Sequence, residues 1–482
     1  MKLQEGRELV FAKKPEFAKL YKDYRDKSWI DYSRETYPGG DSIASLACRQ
    51  AGLQNDNVVI PAKAEGPLQG AGIQNHKPRM TELLSVFEKV LSPLLNKKKV
   101  AHAVQALKQT GFVSTADHHG VLCHPFFSNS ALLSNQIHLS CGGVSISTSS
   151  YPRGIFFHDS NLKQVRIPFI SLHTKHLPVY GHPSMKKATV IREIKKISHY
   201  NIQKTQKRVL KSFLTQILDT DQIWEKSLYS EQLTIINDLF WETLFGNSRG
   251  NLVYLDVESL VRQLLLDTET GRHIFDETYR NLYINNYEGI IGAHDTKRRK
   301  GSHLFWYIDR EKRIRKQFWI KKGYLETDDR QVRIKLEQKS IRESLLDYSI
   351  MPTMALCYSI LAFHYGLTLG GGFSQIQYLG EMGIAYEEVF GGWGDWGRTD
   401  IFSGEFVAIG LANEKTSVPA SLLDILLWGG KEKSEKITAQ FEKITVGESL
   451  DLMMPDLIHM LTGKRLVLSD LKKPPKTFYV TK

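Results

Sequence analysis

The chain has 482 residues, 41% hydrophobic and 24% charged, with 36 Gly, 16 Pro and 4 Cys. That composition excludes a collagen-like chain, a disordered chain and a disulfide scaffold, and the length suits two or three domains or one large core with additions. Lys and Arg number 64 against 52 acids, a net charge of +12, which favours anionic partners (phosphates, nucleotides, nucleic acid, an anionic membrane) without choosing among them.

The start, MKLQEGRELVFAKKPEF, has no apolar core of the kind a secretory signal needs. The cysteines, at 48, 123, 141 and 357, form no CxxC pair. They read as reduced thiols of a cytoplasmic protein. Residues 14–24 and 80–95 carry apolar positions at helical spacing, joined by a polar, Gly-rich connection over 66–78.

From Val100 the texture changes. VAHAVQALKQ reads as a helix, FVST as a short strand, and SNSALLSNQI as a second helix after a tight polar loop. GVSISTS, GIFFHD, QVRIPFI, NLVYLD, HLFWYID and RKQFWI read as further strands, with helical patterns at 188–218 and 231–245. Strands interleaved with helices predict an α/β fold with a parallel or mixed sheet. The expected organisation is a helical region over 1–98, an α/β core over 99–385, and a Gly/Trp loop with a mainly helical region over 386–482.

Two segments concentrate positive charge: residues 185–212 hold nine Lys/Arg and one acid, and residues 297–322 hold eleven Lys/Arg and two acids. Either is a solvated face or an anion-binding surface. Residues 348–380 contain no charged side chain and are long enough to test as a membrane span. Pro352, His364 and Gly370-Gly371-Gly372 interrupt them, so a buried core segment is expected and no membrane partner.

The sharpest local feature is Ser114-Thr115-Ala116-Asp117-His118-His119-Gly120-Val121-Leu122-Cys123-His124-Pro125, where a strand gives way to a helix. The carboxyl end of a strand and the start of a helix are where α/β folds collect anionic ligands. Asp117, His118, His119 and His124 place four titratable groups within eight residues. As a polar surface loop they are candidate acid/base catalysts, with the Asp117 carboxylate raising the pKa of a neighbouring imidazole. Two other readings stand beside this: a divalent-metal site, or a loop that caps the helix through Asp117 or the Ser128 region. The spacing matches no metal-ligand signature, so no metal is expected; a nucleotide is the candidate cofactor. His119-Gly120…His124 has a loose likeness to the His-x-Gly-His signature of nucleotidyltransferases.

Read with its neighbours, this loop resembles bacillithiol synthase, the cysteine-adding family, in its Thr-Gly-Gln-Gln-x-Gly-Leu-Leu-x-Gly-Pro-Leu-Tyr-Thr segment. The chain keeps Thr115, Gly120, Leu122 and Pro125 and has Phe127 for Tyr and Ser128 for Thr, while Ala116-Asp117-His118 replaces Gly-Gln-Gln. Residues 251–256 look like the family's Gly-Leu-Val-Leu-Leu-Asp strand. Leu304–Tyr307 with Arg313 looks like its Leu-Phe-Leu strand and basic turn. Gly371-Gly372-Phe373-Ser374-Gln375-Ile376-Gln377-Tyr378 looks like its Gly-Gly-Pro-x-Glu-Ile-Ala-Tyr segment. The likeness spans 115–379. The family's Trp-x-x-x-Glu-Asp-His-Asp segment and its long heptad helices have no counterpart. The resemblance implies a Rossmann-like core that joins an amino acid, through thiol chemistry, to a sugar-derived acceptor.

The expected binding residues are Thr115, Gly120, Ser128, Gly371, Gly372, Gln375 and Tyr378, with Arg298 and Arg299 of the Lys297–Lys300 run as clamps on an anion. Trp393 and Trp396 read as an aromatic lid or as pins for their Gly-rich loop. The expected function is a small-molecule ligase or transferase with an anionic substrate. The alternatives are a nucleotide-dependent adenylyl- or nucleotidyltransferase, a His-site metal hydrolase and a basic nucleic-acid-binding protein. No specific nucleic-acid partner is expected, since aromatic and basic residues are not interleaved in a recognised module; homodimerisation is open.

Overall fold

The computed structural model describes residues 1–38, 77–122, 125–134, 137–142, 154–170, 177–246, 252–268, 271, 275–372, 374–390, 399, 401–404, 409–430, 443–464, 467–471 and 476–480. Its central sheet is parallel and contains Phe112–Ser114 (β1), Ile137–Gly142 (β2), Val253–Asp256 (β3), Thr368–Gly371 (β4) and Ile401–Phe402 (β5). The order across the sheet is β5-β4-β1-β2-β3, with every pairing parallel. The chain therefore builds outward from β1 through β2 to β3, then returns to the other side of β1 for β4 and β5. The two-residue strand His118–His119 extends the sheet by pairing with Cys141 and Gly142.

The fold is thus α/β with a parallel sheet. All six residues of β2 and all four of β3 are buried, as parallel strands covered on both faces require. Side chains alternate along β2. Ser140 shares a face with His138 and touches His119, which reaches the start of helix Tyr229–Phe245. Cys141 points the other way, to Tyr358 in helix Met354–Tyr358. Strand β4 is Thr-Leu-Gly-Gly, poor in β-formers, and close packing explains its glycines. A Cβ on Gly370 would lie 2.3 Å from Ser403 Oγ and 2.8 Å from Phe112 Cζ, and one on Gly371 would lie 2.9 Å from Gln375 Cβ.

The uncharged stretch 348–380 is core. It supplies Ile350–Pro352, the helix Met354–Tyr358, a π-helix Ser359–His364, β4 and the first turn of helix Gln375–Phe390. Among the described residues no helix is long and apolar enough to cross a membrane. The helical pattern at 188–218 is broken into Lys187–Lys196 and Lys204–Asp219 by a 3-10 turn. The strand expected at 143–149 lies outside the described residues.

Between helix Val257–Asp267 and β4 the chain forms an antiparallel sheet. Its spatial order is Arg333–Lys335, Tyr324–Thr327, Ile314–Lys321, Phe305–Asp309 and Ile350–Pro352. Most of the 297–322 charge run lies here, answered by acids: Arg298 by Asp295, Arg299 by Asp328, and Lys316 by Asp309 and Asp329.

The N- and C-terminal regions meet over the edge of the sheet. Helix Leu3–Lys13 packs on helix Val446–Thr462, and Trp29 Nε1 donates to Ser449 Oγ at 2.6 Å. Tyr32 Oη accepts from Phe402 N–H at 3.0 Å, and Tyr37 Oη donates to Phe402 C=O at 3.1 Å. These two hydroxyls satisfy the open backbone edge of β5, which would otherwise be a template for strand pairing. The C-terminal region also adds strands Ile409–Ala412, Ser417–Pro419 and Lys476–Tyr479, a sheet of three.

Candidate functional site

The carboxyl ends of β1 and β4 lie side by side where the direction of chain progression reverses, the position at which open α/β sheets leave a crevice. Thr115 and Gln375 meet there. Gln375 Nε2 donates to Thr115 Oγ1, and the Thr115 hydroxyl donates to Gly370 C=O at 3.2 Å. Tyr358 Oη lies 3.4 Å from Gln375 Oε1 and 2.9 Å from Cys141 Sγ, linking β1, β2, β4 and two helices in one buried polar chain. Tyr378 follows Gln375 by three residues, stacks on the Tyr358 ring at 6.4 Å and donates to Met354 Sδ. The structure therefore brings Thr115, Gly371, Gln375 and Tyr378 together. It gives Gly371 and Gln375 to packing and internal hydrogen bonds. The backbone approach at 370–372 is to Phe112, Ser403 and Gln375.

The His loop is not a polar surface loop. Asp117 is 6% and His119 4% exposed. Asp117 Oδ1 accepts from His118 N–H at 2.6 Å and Oδ2 accepts from Tyr254 Oη. Burial, opposed by these two bonds, pushes the Asp117 carboxyl up to about 7. Burial pushes the half-buried His118 down to about 4, the reverse of the shift expected from a neighbouring carboxylate. Desolvation by burial is the cause of the His118 shift. His119 also titrates low through burial. Its Nε2 faces Ser230 C=O at 3.1 Å and must donate; Nδ1 then accepts from Ser140 Oγ at 2.8 Å. Both ring nitrogens are occupied by the protein, so His119 is a structural tie. Its ring and that of His138 each stack on Tyr254, at 5.4 and 4.9 Å. His119→Ala is expected to lower unfolding free energy by about 2–4 kcal/mol, through two lost hydrogen bonds and a cavity; a urea melt within 0.5 kcal/mol of wild type, on the order of a surface substitution, would contradict this. Gly120 is held rather than free: its carbonyl accepts from Asn237 Nδ2 at 2.8 Å, while Asn237 Oδ1 accepts from Leu122 N–H. His124, Trp393 and Trp396, and the side chain of Ser128, lie outside the described residues.

A cleft of about 560 Å³ lies between the first turn of helix Val257–Asp267, the segment 289–301 and the antiparallel sheet. Its wall includes Glu258, His294, Asp295, Arg298, Lys300 and Arg315. Glu258 is 1% exposed and sits in the first turn of helix Val257–Asp267, where Oε2 accepts from Gly142 N–H at 2.6 Å. Burial, reinforced by Asp256, raises the Glu258 carboxyl well above the carboxylate range. That shift favours its protonated form. Arg315 stacks on Trp306 at 4.1 Å; burial lowers it to about 10, so it remains a cation at neutral pH. The cations Arg298, Lys300 and Arg315 outnumber the two acids of the wall, Glu258 and Asp295. Arg298 thus lines the cleft, as an anion clamp must. Arg299 does not; its guanidinium turns to Asp328 at 3.0 Å.

Sequence reasoning missed Glu258, Arg315, Tyr254, Tyr358 and Cys141. The acid two residues beyond NLVYLD is a readable signal for Glu258, since acids there sit at the carboxyl end of a strand. Arg315 is hidden among ten other cations of its run. Glu288, His294 and His303 also converge beside the cleft, with ligand atoms all within 4.8 Å of one another, from spacings that fit no motif. No protein-family profile matches the chain, and no curated protein matches it in sequence.

Proposed function

We propose that the chain is an enzyme on a Rossmann-like core, a small-molecule ligase or transferase that joins an amino acid or thiol donor to an anionic or sugar-derived acceptor. The strand order β5-β4-β1-β2-β3 with its central reversal supports the Rossmann-like assignment. The observation that carries the functional reading is the cleft whose wall holds Arg298, Lys300 and Arg315 together with the buried Glu258. The three cations bind and orient the anionic acceptor. Glu258, whose burial favours the protonated form, supplies a hydrogen bond or a proton to an oxygen that gains charge during the reaction. The same cations suit the phosphates of a nucleotide, so a nucleotide-dependent transferase is the second reading.

Calorimetric titration with nucleotides, sugar phosphates, dicarboxylates and amino acids tests this. At least one anionic class is expected to bind saturably. Arg298→Ala and Arg315→Met should each weaken it at least about tenfold, the ~1.4 kcal/mol of one charge-assisted contact. Arg299→Ala, which changes a residue outside the cleft, should leave it unchanged. If no anionic class binds, or if the Arg298 and Arg299 variants behave alike, the cleft is not the substrate site.

A further inference from the structure

Beside the cleft lies a second cluster, of which His294 is also part of the cleft wall. His294 is 2% and His303 3% exposed. Neither nitrogen of His294, nor Nε2 of His303, has a hydrogen-bond partner. Their ring centroids are 4.3 Å apart, and Glu288 Oε2 lies 3.5 Å from His294 Nε2. Two buried imidazoles with idle nitrogens, facing one carboxylate, are costly unless something fills the space between them.

We propose that Glu288, His294 and His303 bind one zinc-class divalent ion as three protein ligands. Two imidazoles and a carboxylate form a nitrogen-rich set that selects zinc, cobalt or nickel over magnesium and calcium. Three protein ligands with a vacant position are the arrangement that leaves an ion free to hold a water or a substrate atom.

The ligands are preorganised. Glu288 Oε1 accepts from Thr296 N–H at 2.8 Å, fixing its carboxylate. His294 and Asp295 pair with Lys300 and Gly301 in a hairpin. Gly301, at φ +72°, lets the strands close: a Cβ there would lie 2.1 Å from Ala293 O and 2.9 Å from His294 Cβ. His303 is tethered through its N–H to Phe318 C=O at 2.9 Å. One adjustment is required. Ile320 N–H donates to His303 Nδ1 at 3.1 Å, which leaves the His303 proton on Nε2. Coordination through Nε2 moves that proton to Nδ1 and deprives Ile320 N–H of its acceptor, which lowers affinity by about one to two orders of magnitude but leaves a three-ligand site.

The site stands on its own ligands and does not depend on the reaction assigned to the cleft, because the readout is the ion itself. The full chain, stripped with a chelator, is titrated with Zn²⁺ by calorimetry and with Co²⁺ by visible absorption. One Zn²⁺ per chain is expected at micromolar zinc, and Co²⁺ should show the intense d–d bands of a low-coordinate nitrogen-bearing site. Glu288→Gln alters a part-exposed side chain and keeps its shape, so circular dichroism should be unchanged while zinc binds at least about tenfold more weakly. His294→Ala should lose the cobalt bands. A wild-type chain that takes up no stoichiometric ion overturns the proposal. So does a folded Glu288→Gln protein that titrates like wild type, or a cobalt spectrum that matches the aquo ion.

Discussion

Asp424→Ala is expected to destabilise the protein by about 3–5 kcal/mol, a large effect for a single polar substitution. Asp424 is fully buried at the start of helix Leu422–Trp428. Its carboxylate accepts from His158 N–H at 2.6 Å, from His158 Nδ1 at 2.7 Å and from Ser421 N–H at 2.8 Å. It thereby pins the hairpin Gly154–His158/Gln164–Pro168 to the helix and completes the helix's capping box. Alanine leaves three donors without an acceptor in a dry interior, and each carries a desolvation penalty of about 1–3 kcal/mol. Asp424→Asn retains one acceptor oxygen and should lose roughly half as much. Urea unfolding of the three proteins side by side measures this. A loss below about 1 kcal/mol for the alanine variant would show that the site relaxes or admits water.

The second large effect is a change of pH dependence at Asp117. The folded carboxyl titrates at about 7, against about 3.9 in an unfolded chain. Between those values the folded state holds a proton that the unfolded state has released. Stability from this group therefore falls as pH rises from about 4 to 7 and stays low above 7. Asn mimics the protonated acid. Its oxygen can accept from His118 N–H, and its amide can donate to Tyr254 Oη, while Tyr254 donates to His118 C=O at 3.0 Å. Asp117→Asn should match wild type near pH 4 and exceed it by about 3–4 kcal/mol at pH 8. The buried imidazoles of His118 and His138 act in the opposite sense, adding stability as pH rises toward 6.5, but they do so in both proteins and cancel in the difference. A difference that does not grow between pH 5 and pH 8 would mean that Asp117 is ionised in the folded protein.

Several elements are legible in the sequence because a local pattern determines them. FVST, GIFFHD, QVRIPFI, NLVYLD, HLFWYID and RKQFWI all contain strands, and residues 231–245 form the greater part of one helix. Strand alternating with helix is enough to predict the α/β class. The His loop follows the end of β1, where the change from strand to helix pattern puts it. The uncharged stretch 348–380 is core, since its proline, histidine and glycines interrupt any continuous apolar helix.

Burial and partners are decided by the tertiary structure alone. Asp117 and His119 are hydrophilic by type, yet β2 and the helix that begins at Tyr229 close over them, which inverts the expected pKa shift. Ile137 ends the helical pattern SNSALLSNQI yet begins a central strand, because neighbours on both sides supply the strand's hydrogen bonds. The β4 strand is too rich in glycine for propensity to find; it exists because Phe112 and Ser403 need the space a side chain would fill. Of the adjacent arginines 298 and 299, one lines the cleft and the other turns to Asp328, a difference no charge count contains. Glu288, His294 and His303 are brought together by a hairpin and a strand. Local periodicity is a property of neighbours along the chain, whereas a site is made by residues that meet only once the sheet has closed.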